Sequence, residues 1–216
     1  MTSAALLILT WSLLHADVQH VERPVKLRGI VPAVAGAPLA AAEPVNLIDN
    51  GDFEDSDAGE MYARHDKEEP PPGWIVKRGT VDVIGGWWQP AHGKQSLDLN
   101  GLEPGAISQE VATEPGKAYL LTFWMAGNPD DPVPGRKAVE IAWDKKVVRT
   151  IVFDRRPEHH HKSMGWERHE TRLVARGKRT RIDFTSLSEG GWGPAIDDVR
   201  LVEAPPAEVT KADAPR

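Results

Sequence analysis

Apolar residues recur at every second position in short runs along residues 45–202, and Gly, Pro, Asn and Asp separate the runs. A period of two marks a half-buried β-strand, whose side chains alternate between faces. In "GTVDVIGG" it puts Val81 and Val83 on one face. In "QSLDLNG" it sets Leu97 and Leu99 against Ser96 and Asp98. "GAISQEVAT" aligns Ile107, Gln109 and Val111, and "KAVEIAWD" aligns Val139, Ile141 and Trp143. "KAYLLTFWMAGN" is apolar on both faces, Tyr119, Leu121, Phe123 and Met125 against Leu120 and Trp124, as a central strand would be. "VVRTIVFD", "WERHETRLVA", "TRIDFTSL" and "PAIDDVRLV" bring the series to about nine strands, and no segment sustains a helical period. The pattern predicts an all-β, antiparallel jelly-roll sandwich over residues 45–202, with irregular segments at 55–73, 127–136 and 154–165 gathered at its ends.

One stretch resists this simple reading. "GGWWQPAHGKQSLDLNG" opens with adjacent tryptophans, which regular strand geometry cannot send into the same core. Carrying the parity of Val81 and Val83 through Gly85 makes Trp87 the buried ring and Trp88 the outward one. A bulge at the two glycines reverses the assignment.

Composition narrows the function classes. The chain has 216 residues, eight tryptophans, no cysteine and a net charge of −6. Without cysteine there are no disulfides, thiolate metal sites or thiol catalysis. An acidic balance argues against a nucleic-acid partner, because phosphate binding needs a basic face. The basic run from Arg176 to Arg181 reads as a turn and a solvated strand face.

The termini predict export. An apolar run over residues 4–14 has signal-peptide length, and a second candidate follows Lys26 and Arg28, ending at "AAA" over 40–42. Residues 1–44 are therefore read as an export signal region with an Ala/Pro linker. The polar, Pro/Ala-rich residues 203–216 are read as a disordered tail without a membrane anchor. Both readings place the protein outside the bacterial cytoplasm, secreted or periplasmic.

The order of several phrases is informative. "NLIDNGDFE", "PPGW", "VDVIGGWWQPAHGKQSLDLNG", "GAISQEV", "YLLTFWMAGNPD", "MGW" and "GPAIDDVRLV" follow one another along residues 46–202. This order resembles the bacterial choice-of-anchor C family and, more distantly, plant cell-wall proteins built from domain of unknown function 642. Both look like the galactose-binding-like β-sandwich superfamily. The resemblance implies a sandwich that binds glycans without transforming them. It also implies a structural Ca²⁺ held by Glu54 of the opening phrase and Asp197 of the closing one, with Asn50, Asp52 and Asp198 as further candidates. Asp197 shares parity with Val199 and Leu201 and is expected to point inward, where it needs either a cation or several N–H donors. The plant relatives carry cysteines and tandem copies, which this chain lacks.

Candidate chemistry sits in two places. Trp87, Trp88 and Trp192 lie beside glycines in turn-like settings, and with His92 and Gln95 they form a mixed aromatic and polar set suited to stacking on a sugar. His159, His160 and His161, with Asp154 and Glu158 nearby, form the most enzyme-like cluster, but consecutive loop residues rarely converge on one metal. No G-x-S-x-G, H-E-x-x-H or P-loop motif is present. The sequence thus predicts a secreted, non-catalytic carbohydrate-binding module for cell-wall or extracellular polysaccharide. Its rivals are an adhesion protein with a cell-surface protein partner and a metal-dependent hydrolase built on the three histidines.

Overall fold

The structure, a computed structural model, describes residues 44–205. The expected export signal and the tail beyond residue 205 lie outside the described residues. Eleven strands follow in order: β1 (Tyr62–His65), β2 (Ile75–Arg78), β3 (Val81–Ile84), β4 (Ser96–Asp98), β5 (Ala106–Ala112), β6 (Ala118–Gly127), β7 (Gly135–Trp143), β8 (Lys146–Arg155), β9 (Glu167–Val174), β10 (Arg179–Ser186) and β11 (Pro194–Glu203). They form two antiparallel sheets, β1-β3-β4-β11-β6-β9 and β2-β5-β10-β7-β8. No helix occurs among the described residues.

The nine expected strands are all present, and β1 and β2 are additional. Each has only four residues, and both carry charged side chains, "YARH" and "IVKR". Runs that short barely show a period of two.

The core lies between the sheets and follows the alternation. Leu97 pairs with Val83 and with Ile196, and Ile196 pairs with Met125, so one row of apolar side chains crosses four strands on the inner face. The opposite sheet answers with Ile107, Phe184 and Ile141, which also stand in one row. Phe123 and Phe184 meet edge to face between the sheets with ring centroids 5.2 Å apart. Phe53 and Trp74 extend the core toward one end, stacked at 5.8 Å. β6 pairs on both edges, with β11 and β9; Tyr119, Leu121, Phe123 and Met125 face the core, and Leu120 and Trp124 on the other face are half-buried.

The opening phrase runs along β11, as its family resemblance implies. Leu47 N donates to Leu201 O at 2.8 Å, Val199 N donates to Gly51 O at 2.8 Å, and Asn46 Oδ1 accepts from Leu201 N at 2.9 Å.

Asp197 is the exception to parity. It pairs with Trp124, whose neighbours Phe123 and Met125 face the core, so Asp197 projects from the outer face of its sheet. The register shifts between Asp197 and Arg200, with Asp198 at a φ of 44°, and this bulge restores Val199 and Leu201 to the core. The expectation of an inward Asp197 fails because the bulge inserts a residue between it and Val199. Asp197 is fully buried nonetheless, by a loop that covers it.

Candidate functional site

Four connecting segments meet above one end of the six-stranded sheet: residues 85–95, 128–134, 156–166 and 187–193. Gln89 N donates to His161 O at 2.7 Å, and Trp166 Nε1 donates to Gln89 O at 3.0 Å. Asn128 N donates to Gly193 O at 2.9 Å. The buried Lys137 Nζ donates to Trp192 O at 2.6 Å and to Asp131 Oδ2 at 2.5 Å, tying two of the segments to β7. Such cross-linking holds irregular backbone in one arrangement.

The tryptophan pair emerges from this assembly with its roles opposite to the parity expectation. Trp88 is buried, and its Nε1 donates to Ser96 Oγ at 2.9 Å. Trp87 keeps 40% of its surface exposed. The strand ends at Ile84, where Gly85 N donates to Met61 O at 2.9 Å and Gly86 N donates to Gly59 O at 3.2 Å. A Cβ on Gly85 would collide with Gly59 O, so only glycine allows this close approach. The chain then turns, and strand parity no longer governs the next two residues.

Trp87 is exposed but not loose. Its Nε1 donates to Asp130 Oδ2 at 2.7 Å, and the His161 ring meets it edge-on at 5.3 Å. His161 Nε2 lies 2.8 Å from the other Asp130 oxygen. Asp130 is itself set by Asn128, whose Oδ1 accepts from Asp130 N at 2.8 Å.

Trp87, Trp88 and Trp192 line one cleft of about 320 Å³. Trp192 is 44% exposed, as is Tyr62, which also lines it. Outward positions of the sheet form the polar part. Arg64 of β1 faces Asp82 of β3, with Nε 2.8 Å from Oδ1 and Nη2 2.9 Å from Oδ2. Asp82 in turn pairs with Asp98 of β4. Asp98 is almost wholly buried and accepts from Asn100 N at 2.9 Å and from Asn128 Nδ2 at 2.6 Å. Burial pushes its carboxyl up to about 8, against the pull of those two donors. The cleft thus joins apolar ring faces to amide, carboxyl and guanidinium groups, which suits a ligand with both C–H faces and hydroxyls.

The other expected site residues lie elsewhere. His92 is exposed, outside the cleft lining, and its backbone N donates to Asp197 Oδ2 at 2.8 Å. Gln95 is buried and structural. Its Oε1 accepts from Ala58 N at 3.1 Å, and its Nε2 donates to Phe53 O at 2.9 Å and Ser56 O at 2.7 Å.

The proposed calcium ligands cluster around the same loop in a different role. Asp197 Oδ2 accepts from Ala91 N at 2.9 Å and from His92 N, while its Oδ1 accepts from Asp198 N at 2.6 Å. Glu54 Oε1 accepts from Lys94 N at 2.5 Å and Gln95 N at 2.8 Å, against Gly93 at a φ of 63°. The two carboxylates clamp residues 91–95 from two sides. Asn50 Oδ1 accepts from Asp55 N at 3.0 Å, and Asp52 Oδ1 accepts from Glu54 N at 3.4 Å. Oxygens aimed at N–H donors do not make an oxygen cage for a hard cation. Among the described residues no three His, Asp or Glu side chains converge as a metal site, and Glu54 Oε1 and Asp197 Oδ2 are taken up by N–H donors.

The three histidines also diverge. His159 packs on Phe153 at 5.3 Å, His160 Nδ1 accepts from Lys162 N at 3.3 Å, and His161 turns to Asp130 and Trp87. The loop is fixed by the backbone pair between His160 and Ser163. Its rings do not share a metal position, and only His161 reaches the cleft rim.

The family model described as "Protein of unknown function (DUF642)" matches residues 46–202. The chain belongs to the DUF642 family. Its matched span includes every residue of the cleft and both halves of the carboxylate clamp. Two Arabidopsis thaliana members, the DUF642 L-galactono-1,4-lactone-responsive gene 2 and gene 1 proteins, are 28% and 32% identical over 80% and 73% of this chain. Halomucin of Haloquadratum walsbyi is 32% identical over 81% of it. The DUF642 chain here spans about half of each Arabidopsis protein, 51% and 46%, and 2% of halomucin. Among solved structures it is similar to TmCBM61 in complex with β-1,4-galactotriose, with a TM-score of 0.47, 21% identity, and coverage of 74% of this chain and 99% of that one. It is also similar to a family 16 carbohydrate-binding module, with a TM-score of 0.46, 16% identity, and coverage of 73% and 100%.

Sequence reasoning missed Tyr62, Arg64, Asp82, Asp98, Asn128 and Asp130. The alternation had already placed Asp98 opposite Leu97 and Leu99, and the same argument applied to Val81 and Val83 turns Asp82 outward. Nothing local revealed that Asn128 and Asp130 fold back over that face.

Proposed function

We propose that this chain is a non-catalytic carbohydrate-binding module for cell-wall or extracellular polysaccharide, acting outside the cytoplasm. The observation that carries the reading is the pair of exposed indoles, Trp87 and Trp192, in one cleft whose base is polar and buried. Large exposed rings are costly in water unless they meet a partner, and pyranose rings offer apolar C–H faces to stack on them. The hydroxyls at the rim of such a sugar then find Asn128, Asp82, Arg64 and Asp130. Trp87 is held by hydrogen bond and ring contact before any ligand arrives, so little ordering cost remains for binding.

Affinity electrophoresis of the full chain through gels containing different polysaccharides tests the reading. A binding module is retarded by at least one polysaccharide, and Trp87→Ala with Trp192→Ala restores free mobility while the fold persists. Retardation by no polysaccharide, or equal retardation of the double variant, contradicts it.

A further inference from the structure

The charges around the cleft are already committed to one another. Among the described residues Arg64 is the one cation in its lining, against three carboxyl side chains, Asp82, Asp98 and Asp130. Both donor arms of Arg64 reach the two oxygens of Asp82. Behind the lining, Lys137 is buried on Asp131 and Trp192 O. The buried Arg155, which does not line the cleft, donates only through Nη2, to Pro129 O at 2.7 Å, its Nε and Nη1 having no partner among the described residues. His161 stands against Asp130.

A carboxylate or sulfate on a sugar entering this space would lose water without gaining a cation, and would approach the carboxyl groups of Asp130 and Asp82. A hydroxyl meets no such penalty, because the carboxylates accept its proton. We infer that the cleft selects uncharged glycans, its ligand being a polysaccharide stretch that carries hydroxyls and no carboxylate or sulfate. This rests on the glycan-binding reading of the same cleft and adds the charge class of the ligand. The selectivity comes from Asp130 and from the Arg64–Asp82 pair, which withholds the guanidinium that an acidic sugar needs.

The experiment compares one polymer in two charge states. A neutral polysaccharide that retards the full chain is oxidised at C6 to carboxylates, and both forms are run against wild type and Asp130→Asn. Wild type should bind the neutral form at least ten times more tightly. The gap should narrow several-fold in Asp130→Asn, whose amide oxygen can still accept from Trp87, and again in 0.5 M NaCl, which screens exposed charge. Equal or tighter binding of the oxidised polymer overturns the selectivity while leaving glycan binding intact. A gap indifferent to both salt and Asp130→Asn also overturns it, because the discrimination is then steric. Loss of all polysaccharide binding in wild type overturns the glycan reading and this inference together.

Discussion

Trp87 and Asp130 are joined by a 2.7 Å hydrogen bond from indole Nε1 to Oδ2, across 43 positions of sequence. The second Asp130 oxygen lies 2.8 Å from Nε2 of His161, whose ring lies edge-on to Trp87. Three loops therefore fix the plane of one exposed ring. Replacing Asp130 with Ala removes one anchoring bond, worth about 0.5–1.5 kcal/mol, so polysaccharide affinity should fall roughly two- to tenfold. Asp130→Asn should keep most of the affinity for an uncharged polymer. Titration calorimetry on the two variants separates these outcomes.

The adjacent tryptophans should behave as opposites in stability. Trp88 is buried with its N–H satisfied by Ser96, and Trp88→Ala should cost about 3–5 kcal/mol. Trp87→Ala should change stability by less than about 1 kcal/mol, as expected for an exposed position. Urea denaturation measures both, and similar losses for the two would contradict the burial assignment.

Asp98 gives stability a pH dependence with a definite sign. Its carboxyl ionises near 3.8 in the unfolded chain and near 8 in the folded one. The folded state holds the extra proton between those values, so the stabilisation is complete below about pH 4 and is lost as pH rises toward 8. Neighbouring Asp82 raises this value further, whereas Lys137 and the Asn100 and Asn128 donors lower it. Burial pushes Asp197 up to about 7, which adds a slope of the same sign, so Asp98→Asn, which cannot titrate, should reduce but not abolish the slope of melting temperature against pH between 5 and 8. An unchanged slope would show that another group carries it.

The carboxylate clamp makes a local prediction. Glu54→Ala leaves the N–H groups of Lys94 and Gln95 without their acceptor, and Asp197→Ala does the same for Ala91 and His92. Gln95 is buried while Lys94 and His92 are exposed, so the penalty for an unsatisfied buried polar group, about 1–3 kcal/mol, falls mainly on the Gln95 N–H. Amide exchange across residues 91–95 should accelerate in each variant by tenfold or more. Because these oxygens face N–H donors, millimolar Ca²⁺ or EDTA should leave the melting temperature within about 1 °C. A cation bound only by the folded state would raise it, in the way any native-state ligand does.

The sandwich was legible because its strands are long enough to show alternation, and the inner rows through Leu97, Ile107, Phe123 and Ile141 follow it closely. β1 and β2 were not legible, being four polar-flanked residues each. At the site, turn-adjacent glycines drew attention to Trp87, Trp88 and Trp192, and the structure gathers all three in the cleft. Parity misassigned the adjacent pair because the strand stops at Ile84, and it misdirected Asp197 because a bulge follows. His92 and Gln95 stand close to the tryptophan pair in sequence but not in the cleft. Gln95 instead spends its amide on Phe53, Ser56 and Ala58, and His92 lends only its backbone. The Asn128–Asp130 contribution is a long-range contact between loops, which no local pattern encodes.

The most direct test of the central claim is the affinity of the full chain for an uncharged polysaccharide, measured beside Trp87→Ala. The account predicts that wild type is retained and that Trp87→Ala loses at least tenfold in affinity with its unfolding midpoint unchanged. Undiminished binding by Trp87→Ala, or no retention of wild type across a broad polysaccharide panel, would contradict it.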